Sequence, residues 1–218
     1  MMSPAQAPVL DLFYPIVPDI AWMRRIVPLG VRTIQLRLKD AASDEVDRQI
    51  RASRDLCRAH GCQLIINDYW RAAIAAGADF IHLGQEDLAD ADLVAIKGSG
   101  VKLGLSTHSP EELEMAMAAK PDYIALGPIY ETRLKAMKWA PQGLDRITQW
   151  KRRIGSMPLC AIAGLTPERA PGVLAAGADS LAVITDFFTH ADPEARVKEW
   201  LKLTAELKAQ FPDRFIGG

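Results

Sequence analysis

Cysteine is scarce in this chain, and that scarcity narrows the field first. Cys57, Cys62 and Cys160 are odd in number and too few for a disulfide framework. No other Cys or His pattern completes a zinc site around them, so buried, idle thiols are the expected state. Charge imbalance is missing as well. Lys and Arg number 26 against 27 Asp and Glu, a net charge of -1. That balance excludes the basic face of a nucleic-acid or membrane-surface binder. No apolar run is long enough to span a bilayer, and the opening MMSPAQAPV lacks a signal-peptide pattern. No low-complexity linker divides the chain. These absences predict a soluble, cytoplasmic protein with no nucleic-acid and no membrane partner; a homo-oligomer is left open.

What is present is a regular alternation. Hydrophobic residues make up 49% of the 218, enough for one large core. The strand-like runs are LFYPIV, TIQLRLK, QLIIND, FIHLGQ, KLGLST, YIALGPI, LCAIAG and SLAVIT. Amphipathic stretches separate them, among them SDEVDRQIRASRDLCRAHG, LADADLVAIKGSG and TPERAPGVLAAGA, and DPEARVKEWLKLTAELKAQ follows the last. Eight such units predict an α/β fold, a single (β/α)8 TIM barrel over residues 1–218 with its site at the C-terminal strand ends. Residues 1–8 are expected to be a flexible extension and 211–218 a flexible tail. Ser43, Ser109 and Thr166 are expected N-caps, and Gly30, Gly61 and Gly77 are expected to close helices. The segment AAGAD recurs before two strands, with AKPD as a looser third copy, and reads as architecture more than chemistry.

Polar groups collect where the strands should end. Gln35, Arg37 and Lys39 alternate along one run and should share a face. Arg offers a planar fork and Lys a point charge, and both suit phosphate oxygens. Asn67 and Asp68 end the third run, Glu86 and Asp87 the fourth. A barrel sets those ends side by side, and two neighbouring carboxylates suit Mg²⁺, which takes oxygen ligands and keeps several waters. Helix capping is the plainer role for either Asp alone. Gly164 and Thr185 end the seventh and eighth runs, where barrels frequently bind phosphate. A tight turn and a core-edge residue are the alternatives for those two. His82 reads as a hydrogen-bonded structural histidine, and His108 as a secondary acid–base candidate. Trp139 either covers a flat ring or anchors a loop on the rim. The longest irregular stretch, Tyr130 to Pro141, is placed to act as a lid.

Taken together, QLRLKD, INDYW, HLGQEDL, LGLSTH, ALGPIYETRLK, APQGL, AIAGLTPERA and AAGADSLAVIT resemble the thiamine-phosphate synthase family in order and spacing. INDYW and APQGL look most like its proteobacterial form. The resemblance implies a barrel enzyme, a transferase that joins a pyrimidine pyrophosphate to a thiazole phosphate and releases pyrophosphate. It implies that Gln35, Leu36, Arg37, Leu38 and Lys39 hold the pyrimidine pyrophosphate, with Asn67 and Ser106 on the pyrimidine side. It implies Mg²⁺ on Asp68 and Asp87. Thr132, Arg133 and Leu134 would meet the thiazole and Lys135 the pyrophosphate. Gly164, Ile184 and Thr185 would take the thiazole phosphate. Arg37, Lys39 and Lys135 would carry the catalytic positive charge. Three departures stand out: ETRLK where the family usually has PTxTK, Ala163-Gly164 for Gly-Gly, and Thr185 for Ser. Leu134 removes a hydroxyl expected at the thiazole. Two alternatives are a thiazole tautomerase paralogue, toward which Glu131 and His108 lean, and a non-catalytic sensor of thiamine precursors.

Overall fold

The computed structural model describes residues 10–131 and 139–211. The extension expected at 1–8 lies outside them, as does the expected tail apart from Phe211. The order begins β1 (Phe13–Val17), α1 (Ile20–Ile26), β2 (Thr33–Leu36), α2 (Ser43–His60), β3 (Gln63–Asn67) and α3 (Trp70–Ala76). It continues with β4 (Phe80–Leu83), α4 (Gln85–Asp90), α5 (Leu93–Gly98), β5 (Lys102–Thr107) and α6 (Pro110–Ala118). It ends with β6 (Tyr123–Leu126), α7 (Gly143–Ile154), β7 (Leu159–Ile162), α8 (Ala170–Ala175), β8 (Ser180–Val183), α9 (Thr185–Phe188) and α10 (Pro193–Gln210). The strands pair in parallel in chain order and β8 pairs β1, so the sheet closes into the expected barrel.

Two cores follow from the alternation of strand side chains. Outward residues such as Ile34, Leu36, Leu64, Ile66, Ile81, Leu83, Ile124 and Leu126 pack against the helices in an aliphatic layer. Inward residues include Tyr14, Ile65, Phe80, Tyr123 and Cys160. Tyr123 fits inside only because residue 104 lacks a side chain: a Cβ on Gly104 would lie 2.1 Å from the tyrosine ring. Two tryptophans fix helices to the wall. Trp150 of α7 donates to Thr107 Oγ1 at 2.8 Å, and Trp200 of α10 stacks on Phe13 with centroids 5.4 Å apart.

The recurring Asp has a physical reason. Asp79, Asp122 and Asp179 each precede a strand, and each carboxylate accepts a backbone N–H from the first or second residue of the preceding strand. Asp79 takes Leu64 N at 2.9 Å, Asp122 takes Leu103 N at 2.7 Å and Asp179 takes Leu159 N at 2.9 Å. The N-terminal end of the barrel is thus laced by three aspartates. The three cysteines are buried at 1%, 6% and 0% exposure, in line with idle thiols.

Local boundaries differ from the sequence reading at both helix starts and strand ends. Ser43 is the first residue of α2, whose N-cap is Ala42 without a side-chain bond. Thr166 opens a turn, not a helix; its carbonyl accepts from Arg169 N and Ala170 N, and α8 starts four residues later. Ser109 does cap α6, but Glu112 reaches back to His108 N, one residue earlier than a capping box requires. The stretch expected as one helix over 88–100 is α4 and α5, because Asp92 accepts Ala95 N and starts a new cap. The runs expected for β2, β4, β6, β7 and β8 stop pairing early, at Leu36, Leu83, Leu126, Ile162 and Val183. Gly30, Gly61 and Gly77 close their helices in left-handed conformations as expected.

Candidate active site

The C-terminal mouth is built from the tails of strands that have just stopped pairing. Beyond β2, Arg37 N still donates to Val17 O at 2.8 Å, and Leu36 and Leu38 sink into the outer core at 1% and 8% exposure. Their side chains are therefore packing groups, and only their backbone can face a ligand. Gln35 lies inside the barrel at 2% exposure and donates to Tyr14 Oη at 2.6 Å. Arg37 is half-buried and Lys39 exposed.

Beyond β3 the chain turns sharply. Asp68 adopts φ +66, left-handed for a residue with a side chain, at a cost of about 1 kcal/mol. The turn is held by Asp68 N to His82 O at 3.0 Å and Trp70 N to Asp68 O at 2.7 Å. It carries Asp68 toward Asp87 in the first turn of α4, within hydrogen-bonding reach. Burial first, and then the Asp87 carboxylate, pushes Asp68 up to about 6, while Arg37 and Asn67 pull it down. Asn67 Nδ2 donates to Asp68 Oδ2. Among the described residues no cluster of three or more His, Cys, Asp or Glu could hold a metal ion. Two crowded carboxylates fit Mg²⁺, which is content with few protein oxygens and several waters.

β4 and β5 supply neutral polar groups. His82 is buried, its Nδ1 2.8 Å from Tyr123 Oη and its Nε2 2.8 Å from Ser106 Oγ. Burial, and secondarily Arg37, lowers its pKa to about 4, so the ring is neutral. The hydrogen-bonded structural role expected for His82 is what the fold gives it. Burial raises the Tyr14 and Tyr123 phenols well above the usual range. His108 is held by Glu112, Nδ1 to Oε2 2.7 Å, and stacks on Trp139 with centroids 5.8 Å apart and planes 4° from parallel. Trp139 thus packs on the rim.

The other side of the mouth is backbone. After the cis Gly127-Pro128 bond, Ile129 N donates to Ile162 O at 2.9 Å and Tyr130 N to Ala163 O at 3.2 Å. Ala163 and Gly164 both take positive φ, +78 and +67. A Cβ on Gly164 would stand 2.7 Å from Glu131 O, so this close crossing needs glycine. Ile184 precedes α9 as its N-cap, and Thr185 is the helix's first residue. Arg169 donates to Gly164 O at 2.5 Å and lies over the Tyr130 ring. Thr132, Arg133, Leu134 and Lys135 lie outside the described residues.

Sequence reasoning missed Tyr14, Tyr123 and Arg169. A tyrosine inside a β-branched run reads as a packing residue, and no period marks an arginine that supports a turn. Among the described residues, no helix is long and apolar enough to cross a membrane.

The comparisons with known proteins agree with this geometry. The model of the thiamine monophosphate synthase family matches residues 13–187. A thiamine-phosphate synthase from Rhizobium etli is 60% identical over 196 residues, 90% of this chain and 96% of that one. One from Salmonella paratyphi B is 46% identical over 90% of each chain. The solved thiamine phosphate pyrophosphorylase from Pyrococcus furiosus superposes with a TM-score of 0.79 at 26% identity, covering 90% of this chain and 96% of that one. With the matched span running from the first strand to the short helix after the last, this chain belongs to the thiamine monophosphate synthase family.

Proposed function

We propose that this transferase condenses a 4-amino-2-methylpyrimidine carrying a 5-diphosphooxymethyl group with a hydroxyethylthiazole phosphate, plain or carboxylated. The products are thiamine phosphate and pyrophosphate, with CO₂ where the thiazole is carboxylated. The carrying observation is the crowded Asp68–Asp87 pair beside Arg37 at the ends of neighbouring strands. Carboxylates held that close repel unless a cation or a proton sits between them.

Mg²⁺ bound by Asp68 and Asp87 would neutralise charge on the departing pyrophosphate. Arg37 and Lys39 add fixed positive charge at the same mouth, and Lys135 is assigned the same task. Once pyrophosphate leaves, the amino-pyrimidine carries a benzyl-like cation, which needs stabilisation and dryness more than proton transfer. The thiazole nitrogen then attacks. The backbone crossing at Gly164, with Ile184 and Thr185, would hold the thiazole phosphate and set the angle of approach. A reaction of this kind calls for no nucleophile, which accounts for a mouth furnished with charges and amides instead.

The deciding experiment measures pyrophosphate release from the pyrimidine pyrophosphate, with and without thiazole phosphate, in Mg²⁺ and in EDTA. Release that requires both thiazole and Mg²⁺, with thiamine phosphate formed, is the expected result. Saturable substrate binding without release would overturn it.

A further inference from the structure

A chain of side-chain hydrogen bonds crosses the barrel interior beneath the mouth, and among the described residues none of these bonds includes the side chain of Arg37, Asp68 or Asp87. It runs from Gln35 Nε2 to Tyr14 Oη (2.6 Å), to Tyr123 Oη (3.1 Å), to His82 Nδ1 (2.8 Å), and from His82 Nε2 to Ser106 Oγ (2.8 Å). Four strands contribute its inner members and a fifth contributes Ser106. Tyr14 and Tyr123 are 1% and 0% exposed; Ser106 is half-buried at the rim.

Counting protons gives the chain one sense. The Gln35 amide donates to Tyr14, so the Tyr14 proton must go elsewhere, and Tyr123 Oη is its partner. Tyr123 then spends its own proton on His82 Nδ1. A buried phenol without an acceptor would forfeit about one hydrogen bond, so each member is committed by the one before it. His82 therefore carries its proton on Nε2 and donates to Ser106. A doubly protonated ring would push back along the chain and strand the Tyr14 proton. Ser106 Oγ is left with its own O–H, which has no other partner among the described residues.

We propose that this relay fixes Ser106 as a hydrogen-bond donor facing the substrate, with Tyr123 and His82 as positioning residues. The matching substrate group is an acceptor, a ring nitrogen or a phosphate oxygen of the pyrimidine pyrophosphate. The electrostatics of the mouth agree, because an outward lone pair would face the anionic phosphates that Arg37 serves. The proposal rests on the synthase reading for its substrate, but not for its geometry.

The first test needs no turnover. Nitrogen-15 NMR of the four histidines, with His82 assigned through His82→Gln, should find the Nε2–H tautomer near neutral pH. The Nδ1–H tautomer would mean that the Gln35 amide and every later bond run the other way, and would overturn the proposal. The second test is kinetic. Tyr123→Phe keeps the ring over Gly104 and removes only the hydroxyl. It should raise KM for the pyrimidine pyrophosphate about tenfold with kcat changed less than about threefold, the loss of one charge-assisted hydrogen bond. Ser106→Ala should do the same, and the double variant should do no more than either. Additive losses would show that Tyr123 acts elsewhere. His82→Gln, which can still donate to Ser106, should retain binding that His82→Ala loses; equal losses would overturn the relay. Inhibition by inorganic pyrophosphate separates the two acceptors. A loss shared by pyrophosphate places the acceptor on a phosphate, and a loss confined to the pyrimidine places it on the ring, both upholding the donor. Wild-type protein that releases no pyrophosphate would refute the synthase reading while leaving the tautomer result intact.

Discussion

Aspartates stand at both ends of this barrel and are used in opposite ways. At the N-terminal end Asp79, Asp122 and Asp179 each accept a backbone N–H from the first or second residue of a strand. At the C-terminal end Asp68 and Asp87 are pressed against each other, and the chain bends through a left-handed residue to bring them there. The first set stabilises the fold and asks nothing of a ligand. The second set stores repulsion that only a cation or a proton relieves. The same side chain therefore closes backbone hydrogen bonds before a strand and is crowded against its like after one, in keeping with the general division of such barrels into a stability face and a reaction face.

The sharpest break of that contrast is Asp87→Ala. It should lower turnover by about 10²–10³, the scale for losing one electrostatic stabiliser of a transition state, with little change in melting temperature. Lys39→Ala should behave alike. A variant that unfolds but keeps its activity per folded molecule would put Asp87 in the wrong class. Next comes Asp122→Ala at the opposite end. Losing a carboxylate that holds a strand N–H should cost about 2 kcal/mol of stability, seen in urea unfolding, and leave kcat alone. A catalytic loss without destabilisation would erase the distinction between the ends.

A smaller effect separates the two uses by pH. The folded state raises Asp68 to about 6 from an ordinary value near 3.8. The folded protein thus holds that proton more tightly than the unfolded chain does. The resulting stability is present at low pH and is lost as pH rises through about 6. Asp68→Asn lacks this loss, so its stability advantage over the metal-free wild type should grow between about pH 4 and pH 6 and then level off. Adding Mg²⁺ should shrink that advantage above pH 6; an advantage indifferent to both would mean that the two carboxylates are not in contact. The smallest change is expected from Leu134→Thr, which restores a hydroxyl and should improve apparent thiazole-phosphate affinity about threefold. No improvement would assign that contact to other groups.

Much of this was legible in the sequence because it depends on period. Strand and helix order follow from the spacing of apolar residues, and barrel closure follows from having eight such units. The pairing of Asp68 with Asp87 was also legible, since closure makes strand ends neighbours. The relay was not. Its members lie on five strands, each contributing one residue of a type that also packs well, and only the inward face joins them. The split of α4 from α5 was hidden for a different reason: Asp92 in LADADLV fits a helix surface as readily as a cap. Thr166 failed as a cap because the residue types that cap helices also open turns, and Ser43 lies one residue inside α2.

The burial of every cysteine has a practical consequence. Cys57, Cys62 and Cys160 lie at 1%, 6% and 0% exposure, and burial pushes the Cys160 thiol up to about 12. A thiol held neutral and out of reach reacts slowly with alkylating reagents. The native protein is therefore a silent background for labelling chemistry. A single cysteine placed at exposed Glu131, beside the stretch from 132 to 138, would carry a fluorophore or spin label without removal of any natural thiol. The entrance to the site could then be followed through substrate binding and product release in an otherwise unaltered enzyme.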